Sequence, residues 1–162
     1  AFGHSKVYLC KPNINNMNIT YQQIPNGWPV CFLNECKFKA QCLRYLAGQT
    51  VPNDVKTIET VMPTMVKQDA CTMFRKVEKV HVALGFSKIF KDVKACHIAR
   101  MRAEMAYYLG GKSTFYRYLH GERALSPEQQ TWIRELFLDY GYNEEVNFDS
   151  YTYRFRFYDD CI

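Results

Sequence analysis

Lys112-Ser113-Thr114-Phe115-Tyr116-Arg117-Tyr118-Leu119-His120-Gly121-Glu122-Arg123-Ala124-Leu125-Ser126-Pro127-Glu128-Gln129 carries the densest structural signal in the chain. Ser113 is a candidate cap for a short helix to Leu119, stopped near Gly121. Ser126 caps a second helix, with Pro127 at its first position and Gln129 completing a capping box. That helix runs to Tyr140, turns Trp132 or Ile133, Leu136, Phe137 and Tyr140 inward, and is closed by Gly141. Upstream, Ala95 to Leu109 places Ile98, Met101, Met105 and Leu109 on one stripe before Gly110-Gly111. Ser87–Val93 and Phe38–Ala47 are shorter helical candidates, the latter ended by Gly48.

Strand signals lie on either side. Lys79-Val80-His81-Val82-Ala83-Leu84 alternates, with Val80, Val82 and Leu84 on one face. Tyr151-Thr152-Tyr153-Arg154-Phe155-Arg156-Phe157 sends four aromatic rings one way and Thr152, Arg154 and Arg156 the other. Such an aromatic face calls for a covering layer. Lys56–Met62 has Val, Thr and Ile in near alternation before Pro63 and is the third strand candidate. Paired together, these segments predict an α+β fold: a small antiparallel sheet with helices packed on one side, preceded by a Cys-rich N-terminal loop region.

The 162 residues suit one domain, which commonly spans about 100–150 residues. Residues 17–162 read as a single α+β domain, with a Cys-rich loop region over 17–75, a helical basic segment over 95–142 and a C-terminal strand over 148–158. Met17 reads as a natural start, making residues 1–16 an N-terminal extension or arm. The composition, 48% hydrophobic and 23% charged, excludes disorder, collagen and coiled coil. No apolar run of about 18 residues is present to span a bilayer, and no secretory signal is visible. A cytoplasmic location is the expectation.

The net charge of +5 is unevenly spread. Residues 1–70 carry seven Lys/Arg against four Asp/Glu, residues 71–134 twelve against five, and residues 135–162 two against seven. The middle of the chain is basic and the tail acidic, and the two can pair.

Seven cysteines occur: Cys10, Cys31, Cys36, Cys42, Cys71, Cys96 and Cys161. Their odd count and modest density favour a reducing compartment over a disulfide scaffold. Cys31-x4-Cys36-x5-Cys42, with Cys71 as fourth member, has the soft donors and short intervening loops that suit tetrahedral zinc. An iron–sulfur cluster uses the same thiolates, and four buried thiols with no metal are the plain alternative. Leu46 stands where a CCCH-type finger has its histidine. Cys10, Cys96 and Cys161 read as structural, His81 as an alternating strand residue and His97 as a helix-surface residue.

The stretch from Lys112 to Glu128, followed by Gly141-Tyr142, resembles helix-turn-helix repressors of the lac-repressor and phage-repressor types. There, a Ser-Thr-hydrophobic-x-Arg recognition helix leads through a Gly-containing turn to Val/Leu-Ser-Pro-Glu and a third helix ending in Gly-Tyr. The resemblance implies that Lys112, Ser113, Tyr116 and Arg117 face nucleic acid while Phe115 and Leu119 are core. Tyr107-Tyr108-Leu109-Gly110-Gly111 predicts a longer or looser turn than the roughly three or four residues of that motif.

A second resemblance covers the whole chain. Tyr21-x-x-Ile24-Pro25-x-Gly27-Trp28, Cys42-Leu43-Arg44, the Tyr116–Gln130 stretch and Phe148-Asp149-x-Tyr151 resemble a family of short cytoplasmic proteins from anaerobic gut bacteria, a domain of unknown function. It implies a single domain, the Met17 start and shared cysteines, and no activity.

No glycine-rich phosphate loop, His-Glu-x-x-His, Gly-x-Ser-x-Gly or clustered acid pair appears. The chain therefore reads as a non-enzymatic small protein that binds nucleic acid (DNA or RNA) or regulates, stabilised by zinc at Cys31, Cys36, Cys42 and Cys71. The alternative is a protein-interaction module that binds a protein partner and neither nucleic acid nor metal. No membrane partner is expected.

Overall fold

The computed structural model describes residues 18–67 and 70–158, in two compact units that divide between Lys76 and Val77. Cys10, Cys161 and the expected arm at 1–16 lie outside the described residues, as does Met17. The α+β class holds: among the described residues are four α-helices and one three-stranded antiparallel sheet. No helix of the described residues is long and apolar enough to cross a membrane.

The first unit is built mainly from turns. Among its described residues, three single-turn 3-10 helices, Tyr21–Gln23, Lys39–Gln41 and Pro63–Met65, accompany one short α-helix, α1 (Leu43–Gly48). The continuous helix expected over Phe38–Ala47 is interrupted at Cys42, whose φ of −99° and ψ of 115° are extended. Backbone pairing explains the break: Cys42 bridges Lys76, and the Leu43 N–H donates to the Arg75 carbonyl at 2.6 Å. The strand expected over Lys56–Met62 is also absent. Only Thr60 pairs, in a parallel bridge to Val30, with Val30 donating to the Glu59 carbonyl and Val61 to the Val30 carbonyl. Alternation alone gave this segment no partner strand with which to extend a ladder.

Arg44 ties the first unit together. It is 2% exposed, donates from Nε to the Met73 carbonyl at 2.9 Å and from Nη1 to the Pro29 carbonyl at 2.7 Å, and stacks 4.3 Å over the Trp28 ring. Gly48 closes α1 against the Cys31 backbone, so closely that a Cβ there would collide with the Cys31 carbonyl.

The second unit contains β1 (Lys79–Leu84), α2 (Ala95–Tyr108), α3 (Lys112–Leu119), β2 (Ala124–Leu125), α4 (Pro127–Asp139) and β3 (Ser150–Phe155). The strand order is β2-β1-β3, with His81 opposite Tyr153 and Ala83 opposite both Leu125 and Tyr151. Met101 and Met105 of α2, with Leu109 just after it, are buried, as the stripe predicted, and join Ile133, Leu136 and Phe137 of α4 around Phe86 and Leu125. The expected helix at Ser87–Val93 is instead a run of turns, closed by the Lys91 N–H on the Lys88 carbonyl and the Val93 N–H on the Phe90 carbonyl, and the Lys94 N–H leaves the helical path to donate to the Tyr142 hydroxyl at 3.0 Å. The aromatic face of the last strand is only half covered. Phe155 and Phe157 are buried, whereas Tyr151 and Tyr153 are 38% and 69% exposed and pack against His81, Tyr151 stacked on its ring and Tyr153 tilted.

The capping box forms as read. Ser126 Oγ accepts from the Gln129 N–H and Gln129 Oε1 accepts from the Ser126 N–H. Behind the cap, Glu128 pairs with Arg156 at 3.1 Å and accepts from the Tyr158 hydroxyl at 3.2 Å. Desolvation pushes the Glu128 carboxyl up, but the backbone N–H, Ser126 and Arg156 outweigh it and hold the group below its ordinary value. A carboxylate depressed in the fold stabilises above the unfolded carboxyl range, and that contribution is lost as pH falls through its folded value. Glu128→Gln should therefore cost about 0.5–1 kcal/mol at neutral pH, the scale of a half-exposed ion pair at a helix N-terminus. In urea unfolding across a pH series the two proteins should converge in acid; a gap that is constant at every pH contradicts this role.

Candidate functional site

The site begins where α2 ends. Gly111 donates to the Ala106 carbonyl at 2.7 Å and Gly110 to the Tyr107 carbonyl at 3.2 Å, the paired bonds of a Schellman ending. The link to α3 is then only Leu109, Gly110 and Gly111, not the longer turn that the sequence predicted. Tyr107 and Tyr108 complete α2, within the helix expected over Ala95–Leu109. α3 is capped by Gly111 rather than Ser113, and Gly111 has φ of 110° and ψ of 167°. Ser113 is an exposed residue of the first turn.

α3 has two distinct faces. Phe115 and Tyr118 are buried, Phe115 with its ring 5.4 Å from that of Phe86 in an edge-to-face contact. The Phe86 N–H donates to the Leu119 carbonyl, tying the end of β1 to the end of α3, while Leu119 itself is half-buried. Lys112, Ser113, Tyr116 and Arg117 are all exposed, and 3.6-residue periodicity aligns them along the opposite side. His120 extends this stripe and stacks with Tyr116, ring centroids 6.3 Å apart. Arg117 pairs with Glu122 at 3.6 Å, both side chains being more than half exposed. At the end of α2, Tyr107 is 90% exposed, while Tyr108 lies flat on Trp132 at 3.9 Å. His120 lies just beyond the end of α3 and Tyr107 in the last turn of α2, and no motif in the sequence singles out either residue.

The support behind α3 is polar as well as apolar. Gln129 Nε2 donates to the Tyr118 hydroxyl at 3.3 Å, and the Arg123 guanidinium lies 5.3 Å over the Tyr118 ring. Tyr140, at the end of α4, donates its hydroxyl to Glu104 of α2 at 2.7 Å. Desolvation, then the Glu104 hydrogen bond, holds the Tyr140 phenol above its ordinary value. His97, expected on the helix surface, is half-buried, and its Nδ1 lies 2.8 Å from the Tyr142 hydroxyl.

All four candidate metal ligands fall in the first unit. Cys31 and Cys42 are buried, Cys36 and Cys71 half-buried, and all four line one cavity of about 10 Å³. Among the described residues, no group of three or more His, Cys, Asp or Glu side chains is already set to hold a metal ion. Cys96, read as structural, is exposed on α2. Two wider concavities had no sequence signal. One of about 710 Å³ involves Asp149, whose carboxylate accepts from the Ser87 N–H and hydroxyl; one of about 580 Å³ involves Trp28 and Glu59.

The α2–α3 link makes a direct test of the local geometry. The Gly111 dihedrals belong to a region nearly exclusive to glycine, and a Cβ there meets nothing within 4 Å. Gly111→Ala should therefore destabilise through backbone strain alone, by about 1–3 kcal/mol. The denaturation midpoint should fall with the m-value unchanged; an unaltered midpoint means that the link adopts another conformation.

No curated protein and no solved structure matches the chain. One family model does, over residues 14–157, a span holding both the four-cysteine cavity and the α2–α3 hairpin. The chain belongs to DUF6078, a family of unknown function.

Proposed function

We propose that this protein is a nucleic-acid-binding protein rather than an enzyme, and that α3 is its reading element. The observation that carries the proposal is the exposed stripe of Lys112, Ser113, Tyr116 and Arg117 on a helix whose other face is held by Phe115 and Tyr118. The three-residue link from α2 supports it, because a short link keeps the two helices in the fixed relation that helix-turn-helix proteins use. Eight residues of helix span about 12 Å, comparable to the width of the major groove of B-DNA.

The chemistry of each residue fits a role. Lys112 and Ser113, in the first turn, suit phosphate oxygens, which position a protein without reading sequence. Arg117 suits the paired acceptors of guanine. Its present partner Glu122 is little obstacle, since an exposed pair is worth about 0–1 kcal/mol and exchanges readily for phosphate or a base. Tyr116, backed by His120, offers an aromatic edge beside them. The five described cysteines are unbridged, which suits the reducing cytoplasm.

An observation elsewhere favours a second reading, a protein-interaction module. Tyr151, His81 and Tyr153 form an exposed aromatic group on the sheet, with ring centroids 5.0 and 4.9 Å from His81. Aromatic clusters of this kind anchor protein partners.

Fluorescence anisotropy with duplex DNA over a salt series separates the two. Binding through α3 should weaken with salt, and Lys112→Ala should lower the log–log slope by about one unit. Arg117→Ala should cost roughly fivefold or more in affinity, corresponding to about 1–3 kcal/mol for a lost base contact. Binding unaffected by both substitutions removes α3 from the interface, and no binding at the lowest salt removes the reading itself.

A further inference from the structure

We infer that Cys31, Cys36, Cys42 and Cys71 form a structural zinc site that closes around the ion as it binds, a site independent of the nucleic-acid reading. Each thiol arrives on a different piece of backbone. Cys31 follows the Val30–Thr60 bridge, and its N–H donates to the Arg44 carbonyl at 2.9 Å. Cys36 lies in a turn closed by its own N–H on the Leu33 carbonyl. Cys42 is the extended residue between the 3-10 turn and α1, and Cys71 pairs with Val66 across a short antiparallel bridge. These segments span some forty positions, yet all four cysteines are among the residues lining one cavity.

Ordinary burial of cysteine does not require this. Thiols packed as small hydrophobes can be scattered through a core. Here four of the five described cysteines border the same space, and the fifth, Cys96, is exposed in the other unit. The space, about 10 Å³, is close to the volume needed for a single water-sized sphere. Phe38 and Phe74, with ring centroids 5.8 Å apart, form part of its wall. Among the described lining residues the charged side chains are Lys39 and Arg44, and none is acidic. Zinc bound to four thiolates carries a net charge of −2, so the wall has the sign that such a centre favours.

The thiols must still move. Because, among the described residues, no three potential ligands are already set to hold a metal, binding has to draw the sulfurs to about 3.8 Å from one another, the edge of a tetrahedron with Zn–S bonds of about 2.3 Å. Cys36 and Cys71, in short turns and half-buried, are the ligands with room to do so. Four Zn–S bonds form, four S–H protons leave to solvent and no electrons are transferred. With every corner held by protein the ion has no open position for substrate, and its role is to fasten the segments that carry residues 31, 36, 42 and 71.

The test uses the full chain, reduced and stripped with a chelator, titrated with Co²⁺ and then Zn²⁺. One Co²⁺ per chain should give the intense charge-transfer and d–d bands of a tetrahedral tetrathiolate, bleached by one equivalent of Zn²⁺. Zinc should slow alkylation of Cys31, Cys36, Cys42 and Cys71 by about tenfold or more, because a metal-bound thiolate is withdrawn from reaction, while Cys96 reacts as before. Cys96→Ser should bind identically and Cys71→Ser should lose the tetrathiolate spectrum; if the latter does not fold, the alkylation map of the unsubstituted chain decides alone. A pale octahedral cobalt spectrum, or a map in which Cys71 stays as reactive as Cys96, overturns the inference. So does protein purified without oxygen that contains iron and acid-labile sulfide, which assigns the thiols to a cluster.

Discussion

Phe86 is the point at which the second unit is fastened. Its side chain is fully buried, its ring meets the edge of Phe115, and its backbone N–H ends on the Leu119 carbonyl. One residue thus fixes the end of β1 to both the middle and the end of α3. Removing a buried Phe ring typically costs about 3–5 kcal/mol, and here the loss would also release α3 from its seat. What α3 offers to solvent follows from that seat. With Phe115 and Tyr118 turned inward, helical periodicity leaves Lys112, Ser113, Tyr116, Arg117 and His120 no direction but outward.

The first unit solves a different problem. It has little regular structure, so many backbone groups need partners outside helices and sheets. Arg44 meets two of them, the carbonyls of Pro29 and Met73, and spreads its charge over Trp28. A guanidinium suits this task because its fork of donors is planar and permanently charged. Single bridges at Val30, Cys42 and Val66 supply further partners. A metal at the four-thiol cavity would add a cross-link where extended secondary structure is scarce, the usual reason that small irregular modules use zinc.

The legible parts of the sequence were those governed by local rules. The Ser126 capping box, the Met101–Met105–Leu109 stripe and the alternation in β1 each depend on neighbours within a turn or a strand, and each appears in the structure. The misread parts were decided at long range. Cys42 breaks a helix because its partner is Lys76; residues 56–62 form no strand because only Val30 reaches them; the turns over 87–93 end where the Lys94 N–H is taken by the distant Tyr142 hydroxyl. Alternation predicts Tyr151 and Tyr153 as core, but they stay exposed and pack against His81 across the strand pair. For the candidate sites, the sequence supplied the residues while the structure supplied what spacing could not. That is the shared cavity of four cysteines and the three-residue link before α3.

The claim joining these observations is that the outward face of α3 meets nucleic acid. Amide hydrogen exchange of the full chain, with and without a saturating DNA duplex, tests it most directly. The account expects slowed exchange across residues 107–120 and unchanged exchange in β3. Protection confined to the Tyr151–Tyr153 surface, or no change along α3, would contradict it.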